Sequence, residues 1–571
     1  MICGSMLYCK RFGLLLRKGR GERNINQMEA SAMAKKSEMN RQETFGGTCS
    51  SIISGVISFF LLILVTVFPL VYDNSYFNIL ETKYKCYYLC IIGMLVILLV
   101  LSIVMLIIDG MEFKGMHARA LISKLAPMNW RTTFCAADVA VIVFWLAALI
   151  STLQSEYLFE SFWGNEGRYS GLFLLTLYVC AYFVVSRFWN VKGWLLEAFL
   201  ISGMIMCVIG ITDYFQMDIL DFRGNIKPEQ SAIFTSTVGN INTYTAYVAL
   251  LMGLAAAMFA TSKNLVKSIW YYSCMVITFF AIIMGCSDNA YLALGALFGF
   301  LPFILFRNRT GVRRYLVMVA SFFTVVQCID FINQQFADVV IGLDSLFQVM
   351  VNLKGLMLIV VLLWGAAAGL IYFDRRQPSN EEQGNRLIYI WVAVVAVVIL
   401  GVCFALYDAN VAGNAERYGA VGSYLVFNDH WGTNRGYIWR KSLELYREFP
   451  VMHKIFGYGP DTFGILTTEA IKFDMINMTG QVFDNAHNAY LQYFVTIGPI
   501  GLVAYVAFLG AAVSRCWKSM SRNPYVIGCC FAVICYAVQA LVNLDLPIAT
   551  PVMWLLLSVG MAVGRGVQNR T

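Results

Sequence analysis

The sequence predicts an all-α polytopic membrane protein of about 14 transmembrane helices, with one large extracytoplasmic loop segment that contains short helices. Three observations carry that prediction. Hydrophobic residues fill 59% of the 571 positions and charged residues only 13%, too few charges to cover a soluble protein of this length. Apolar runs close to the length of a bilayer crossing recur along the chain. The connections between these runs alternate between cationic and acidic, as the positive-inside bias requires.

Residues 1–48 come first and are basic and polar, with Lys10, Arg11, Arg17, Lys18, Lys35 and Lys36 among them. Their apolar content is too broken for a secretory leader, so a disordered cytoplasmic tail is expected, with Met28 and Met33 as alternative starts. Helices 1–11 then occupy 49–407, with spans expected near 51–72, 86–108, 136–153, 171–188, 194–213, 242–261, 269–286, 290–306, 315–333, 347–373 and 387–407. The large polar segment is 408–488. Helices 12–14 follow in 489–571, near 489–514, 525–543 and 550–564, before a short cytoplasmic tail.

The loop charges orient this array. Lys114, Arg119, Lys124 and Arg131 lie in one connection, and Arg307, Arg309, Arg313 and Arg314 in a later one of the same parity. The opposite connections carry Glu156, Glu160 and Glu166, then Asp213, Asp218, Asp221 and Glu229. Both termini are therefore expected inside, and 408–488 outside. The formal net charge of +8 belongs to the cytoplasmic loops and does not call for nucleic acid. Most of the 16 cysteines sit in apolar runs, with no CxxC pair beside histidines, so no metal site is expected. None lies in 408–488, so no disulfide holds that segment.

Connections as long as 408–488 usually carry function. Within it, "GTNRGYIWRKSLELYREFP" (Gly432 to Pro450) predicts a short helix capped by Thr433 or Asn434, with Arg435, Trp439 and Ser442 on one face. Two readings stand for Arg435: a surface residue stacked on Trp439, or a guanidinium that binds phosphate bidentately. Gly457 and Gly459, in "IFGYGPDTF", form a turn that is either plain or one whose amides approach an anion. His487, in "DNAHNAYLQYFVTIGPIGL", is expected in the first turn of a helix capped by Asp484 or Asn485. The helix N-terminus disfavours imidazolium, which leaves a neutral ring fit for a general base; an interfacial histidine bonded to its neighbours is the plainer alternative. His430 and His453 lack that helix-start context. Two further outer loops, "SFWGNEGRYSGLF" and "TVGNINTYTAYVAL", place Arg168, and Gly239, Asn240 and Asn242, at helix entrances.

Four stretches in this order resemble the O-antigen ligase/polymerase superfamily of bacterial membrane glycosyltransferases: "FWGNEGRYSGL", "TVGNINTYTAYVAL", "NRGYIWRKSLELYREFPVMHKIFGYGPDTF" and "DNAHNAYLQYFVTIGPIGL". The clearest resemblance covers about 155–510. It implies transfer of a glycan from undecaprenyl diphosphate to an acceptor hydroxyl, on a sugar or on a second lipid-linked glycan. The reaction would run at the outer face of the bacterial cytoplasmic membrane, in cell-surface polysaccharide assembly, with inversion at the anomeric carbon. It also implies His487 as the group that activates the hydroxyl, Arg435 and Arg168 on the diphosphate, and neither cofactor nor divalent metal. Asn240, Asn242, Trp439, Gly457, Gly459, Asn488 and Tyr490 are the matching motif positions expected to contact diphosphate or glycan. One departure is visible. Family members often carry Ser-Arg at the hairpin between the seventh and eighth spans, where this chain reads Cys286-Ser287-Asp288-Asn289. Arg223 is the candidate replacement. The competing readings are a lipid-linked glycan flippase or transporter, and a peptidoglycan-type polymerase, for which Asp429, Asp461, Asp474 and Asp484 are the available acids.

Overall fold

The expected spans fold as helices, some of them interrupted, in the computed structural model, which describes residues 41–125, 133–224, 226–343, 346–376, 384–520 and 523–568. In chain order they are α1 (Arg41–Thr66), α2 (Ile79–Phe113), α3 (Ala136–Gln154), α4 (Leu172–Phe188), α5 (Trp194–Tyr214), α6 (Ile241–Thr261) and α7 (Leu265–Met284). Then follow α8 (Ala290–Leu305), α9 (Arg309–Gln335), α10 (Leu356–Arg376) and α11 (Arg386–Asn410). The polar segment contributes α12 (Trp431–Glu448) and α13 (Phe463–Thr479) among shorter turns. The chain returns through α14 (Ala489–Thr496), α15 (Gly498–Ser519), α16 (Pro524–Gln539) and α17 (Thr550–Gln568). Among the described residues, 11 helices are long and apolar enough to cross a membrane; α4, α8 and α17 are shorter apolar helices at the remaining expected positions. Strand structure is confined to a two-stranded antiparallel ribbon, β1 (Phe234–Thr235) with β2 (Gly239–Asn240), among the described residues.

Several boundaries differ from expectation, among them the span expected at 347–373, which is split into Leu346–Val351 and α10. Residues 1–40 of the expected tail lie outside the described residues, and 41–48 belong to α1. The span expected at 489–514 is broken between α14 and α15 at Gly498, whose φ is +78°. A Cβ there would meet the Ile455 carbonyl oxygen at 2.2 Å, so the break lets the polar segment press against the helix backbone.

The chain forms two compact units. Among the described residues, one comprises 41–56 together with 96–125 and Thr133, and is braced by Arg41–Glu112 (2.9 Å) and by His117 on Asp109 (2.7 Å). The other, Ile57–Leu95 with Phe134 onward, holds every candidate site residue. At its centre is α6, 94% buried over its apolar window, whereas the corresponding window of α11 is 0% buried. Small residues explain the burial of α6: Gly253 lets α16 approach until a Cβ would lie 2.6 Å from the Phe531 carbonyl oxygen. In the same unit Lys83 is fully buried, and its Nζ donates to the carbonyls of Phe68, Pro69 and Val71 at 2.9, 3.0 and 3.1 Å. It thereby satisfies backbone acceptors that follow α1.

Candidate functional site

The start of α6 sets one wall of the site. Asn240 is its N-cap, with its side-chain oxygen accepting the Asn242 amide at 2.8 Å. Asn242, one residue into the helix, then gathers the hairpin between α7 and α8. Its Oδ1 accepts Ser287 Oγ at 2.7 Å and Asn289 Nδ2 at 3.1 Å. Asn289 Oδ1 in turn accepts Arg435 Nη1 at 3.2 Å. The hairpin that lacks an arginine is thus bonded to the arginine of α12.

Arg435 stands where α12 becomes right-handed. Gly432, Thr433 and Asn434 have φ of 59°, 62° and 67°, so the expected capping residues form a left-handed turn instead. Gly436 is obligatory: a Cβ would lie 1.9 Å from the Asn428 carbonyl oxygen. Trp439 does not stack on Arg435. Its Nε1 donates to the Ala486 carbonyl at 2.8 Å, and its ring lies 5.2 Å from that of Trp431. Arg440 faces away and pairs with Asp429 and Glu444, each at 2.7 Å.

His487 lies one residue before the helix rather than in its first turn. The cap of α14 is Asn488, whose Oδ1 accepts the amides of Tyr490 and Leu491, each at 3.0 Å. His487 itself has φ +49° and donates its amide to Asn485 Oδ1 at 2.8 Å. Gln492 Oε1 accepts the Ala486 amide at 3.1 Å. The short motif therefore braces its own backbone, leaving the imidazole on a cavity wall. Its ring nitrogens make no hydrogen bond among the described residues. The ring is held neutral, its pKa pushed down to about 4, chiefly by burial and then by the positive charges of Arg435 and Arg168; Asp484 opposes them.

Arg435 and His487 line the same cavity of about 750 Å³, together with Asn242, Ser287, Asp288 and Asn289. Ile241, Ile283 and Leu343 supply an apolar side to it. Burial weakens the hold of Arg435 on its proton, and the Asp288 carboxylate partly restores it. The guanidinium nevertheless stays charged.

The remaining expected residues lie around this cavity rather than on it. Arg168 forks onto Asp484, Nε to Oδ2 at 2.9 Å and Nη2 to Oδ1 at 2.5 Å. Arg223 donates to the Phe234 carbonyl at 3.3 Å and is not among the residues that line the cavity, although its charge acts on Cys286 at the start of the hairpin. The Tyr490 hydroxyl donates to the Ala537 carbonyl at 2.7 Å, tying α14 to α16. The amides of Gly457, Tyr458 and Gly459 donate to the carbonyls of His453, Val495 and Thr496, so this turn spends its donors on protein rather than on an anion.

Asp461 lies in that turn, and its position after Gly-Pro carries no local sign of burial. It is buried, and its Oδ2 accepts the amides of Asn165 and Ser170 at 2.7 and 2.9 Å, on either side of Arg168. Burial raises its pKa to about 7. A second missed acid, Asp545 between α16 and α17, accepts from the Tyr493 and Thr550 hydroxyls, and burial holds its carboxyl above the usual range.

Comparison with known proteins adds one match and one absence. A search of curated proteins finds no match. Residues 339–506, which carry Arg435, Trp439 and His487 but neither Arg168 nor Asn242, match the family model described as O-antigen ligase. The chain is a multispan membrane protein with an O-antigen ligase domain, and that match supports its place in the O-antigen ligase/polymerase superfamily.

Proposed function

We propose that this protein transfers a glycan from undecaprenyl diphosphate to an acceptor hydroxyl, at the outer face of the bacterial cytoplasmic membrane, with both termini inside. One observation carries the reading. A neutral imidazole without a hydrogen-bond partner and a guanidinium whose hydrogen-bond partner is a neutral amide share one cavity. The hydroxyl oxygen attacks the anomeric carbon from the face opposite the diphosphate, so configuration inverts. The bond from that carbon to the diphosphate oxygen breaks, and undecaprenyl diphosphate leaves with the electron pair. The hydroxyl proton passes to His487 and then to water. Arg435 binds the diphosphate and stabilises the charge that grows on it.

The depressed basicity of His487 supports this order of events. Burial and two arginines oppose protonation of the ring. A bound diphosphate neutralises Arg435 and adds negative charge nearby, which raises the ring's proton affinity. His487 thus becomes an effective base when the donor is in place. Arg168 contributes charge from its fork on Asp484 and would touch the diphosphate only by leaving that carboxylate. Asn242, Asn240, Asn488, Trp439 and Tyr490 act as positioning residues through the contacts described above.

The test uses purified protein in liposomes with a lipid-linked oligosaccharide, with and without a second acceptor. Product ladders from the donor alone identify a polymerase; single addition to a supplied acceptor identifies a ligase. Passage of the lipid-linked glycan between leaflets without transfer would replace this reading with a flippase.

A further inference from the structure

We propose that Asp288 is a glycan-binding residue of the cavity, selecting sugars that present neutral hydroxyls over sugars that carry a carboxylate or phosphate. The proposal rests on the transferase reading above and names the substrate class of the same site.

The hairpin between α7 and α8 divides its side chains. Ser287 and Asn289 are buried, and their polar groups are taken by Asn242 and Arg435. Asp288, between them, is exposed and lines the cavity. Its Oδ2 accepts the Tyr424 hydroxyl at 2.7 Å, and its Oδ1 has no hydrogen-bond partner among the described residues. A carboxylate held by one oxygen keeps the other as a charge-assisted acceptor for a hydroxyl hydrogen.

Charge then orients the substrate. Asp288 repels a diphosphate, while Arg435 on the same cavity attracts it. The phosphates therefore lie toward Arg435 and His487, and a sugar ring lies against Asp288. An acidic sugar in that place would set a second anion beside Asp288 while Arg435 is engaged by the diphosphate, an arrangement that rejects it.

The plainer account is that Asp288 only latches Tyr424 to the hairpin. Asp288→Asn separates the two, because the amide oxygen still accepts the Tyr424 hydroxyl while the charge is gone. Tyr424→Phe removes the latch alone. Equilibrium binding and transfer would be measured with two undecaprenyl-diphosphate-linked oligosaccharides, identical except for one glucose replaced by glucuronate. The expected result is a preference for the neutral glycan of roughly tenfold in the unaltered protein. That preference should fall to near unity in Asp288→Asn and persist in Tyr424→Phe. An unchanged preference in Asp288→Asn, or its equal loss in Tyr424→Phe, overturns the proposal and leaves the transferase reading intact. Charge-dependent binding without any transfer supports the subsite and removes the transferase reading. Failure to bind either glycan overturns both.

Discussion

At one end of the second unit Asp138 is fully buried near the start of α3, and every interaction around it answers its charge. Arg565 approaches to 2.6 and 2.7 Å, Arg187 to 3.1 Å, and the Tyr182 hydroxyl donates at 2.8 Å. At the other end Arg435 is also withdrawn from water, but its hydrogen-bond partner is the neutral amide of Asn289, and His487 beside the same cavity has a ring without a partner. The first arrangement joins α3, α4 and α17. The second holds a cation that the Asp288 carboxylate answers only in part, beside a base with no hydrogen-bond partner. We read the end around Asp138 as the structural end, and the end where Arg168 is paired with Asp484 but Arg435 has no ion pair as the working end.

Breaking the working end should give the largest effect. His487→Ala should lower kcat by roughly 10³-fold, within the range for loss of a positioned base, with melting unchanged because the ring holds no hydrogen bond. Equal loss of folded protein would instead make His487 structural. The pH profile sharpens the test. With the free imidazole titrating near 4, kcat/KM should stay level from pH 8 to 5 and fall only on further acidification, whereas the acid-side fall of kcat should begin at a higher pH, because the diphosphate raises the ring's proton affinity.

Breaking the structural end should do the opposite. Asp138→Ala leaves Arg187 and Arg565 without their carboxylate and should cost about 3–5 kcal/mol of stability, read as loss of folded protein in detergent. The remaining folded fraction should transfer glycan normally. A selective loss of kcat in well-folded Asp138→Ala would end the division of labour between the two ends.

Arg435→Lys tests whether charge alone suffices at the cavity. Lysine keeps the charge and loses the planar fork, so transfer should drop about 10²-fold; near-normal turnover would argue against bidentate diphosphate binding. Trp439→Phe keeps the ring and loses the bond to the Ala486 carbonyl. It should lower kcat by roughly tenfold through misplacement of His487, and an effect on KM alone would point to a direct glycan contact instead.

The spans were legible because the bilayer demands long apolar runs, and that demand is local in sequence. The break at Gly498 was not, because its cause is a close approach by Ile455, a residue of another segment. His487 and Arg435 were legible as chemistry, since each stands at a polar-to-apolar boundary or on a marked helix face. Their partners were not. The Arg168–Asp484 fork spans 316 positions, and nothing local distinguishes an arginine that binds a carboxylate from one that binds a phosphate. The turn at Gly457 and Gly459 misled for a related reason: glycine permits close approach without saying what approaches.

Asp461 offers the smallest and most specific test, because it belongs to neither kind of charge. It is buried at the working end with only backbone donors, and burial lifts its pKa from the usual 3.8 to about 7. In the fold it therefore keeps a proton that the unfolded chain releases near pH 4. Stability contributed by this site must fall as pH rises from about 4 to 7, the reverse of an ion-paired carboxylate. Asp461→Asn preserves an oxygen that can accept both amides and removes the titration. It should melt above the unaltered protein at pH 8, match it near pH 4, and keep the Asn165 and Ser170 amides protected from hydrogen exchange at both. Since those amides flank Arg168, a pH-dependent loosening seen only in the unaltered protein would make Asp461 the group that holds Arg168 against Asp484. An unchanged melting–pH slope in Asp461→Asn would show that the carboxyl stays ionised in the fold, its burial offset by the two amides.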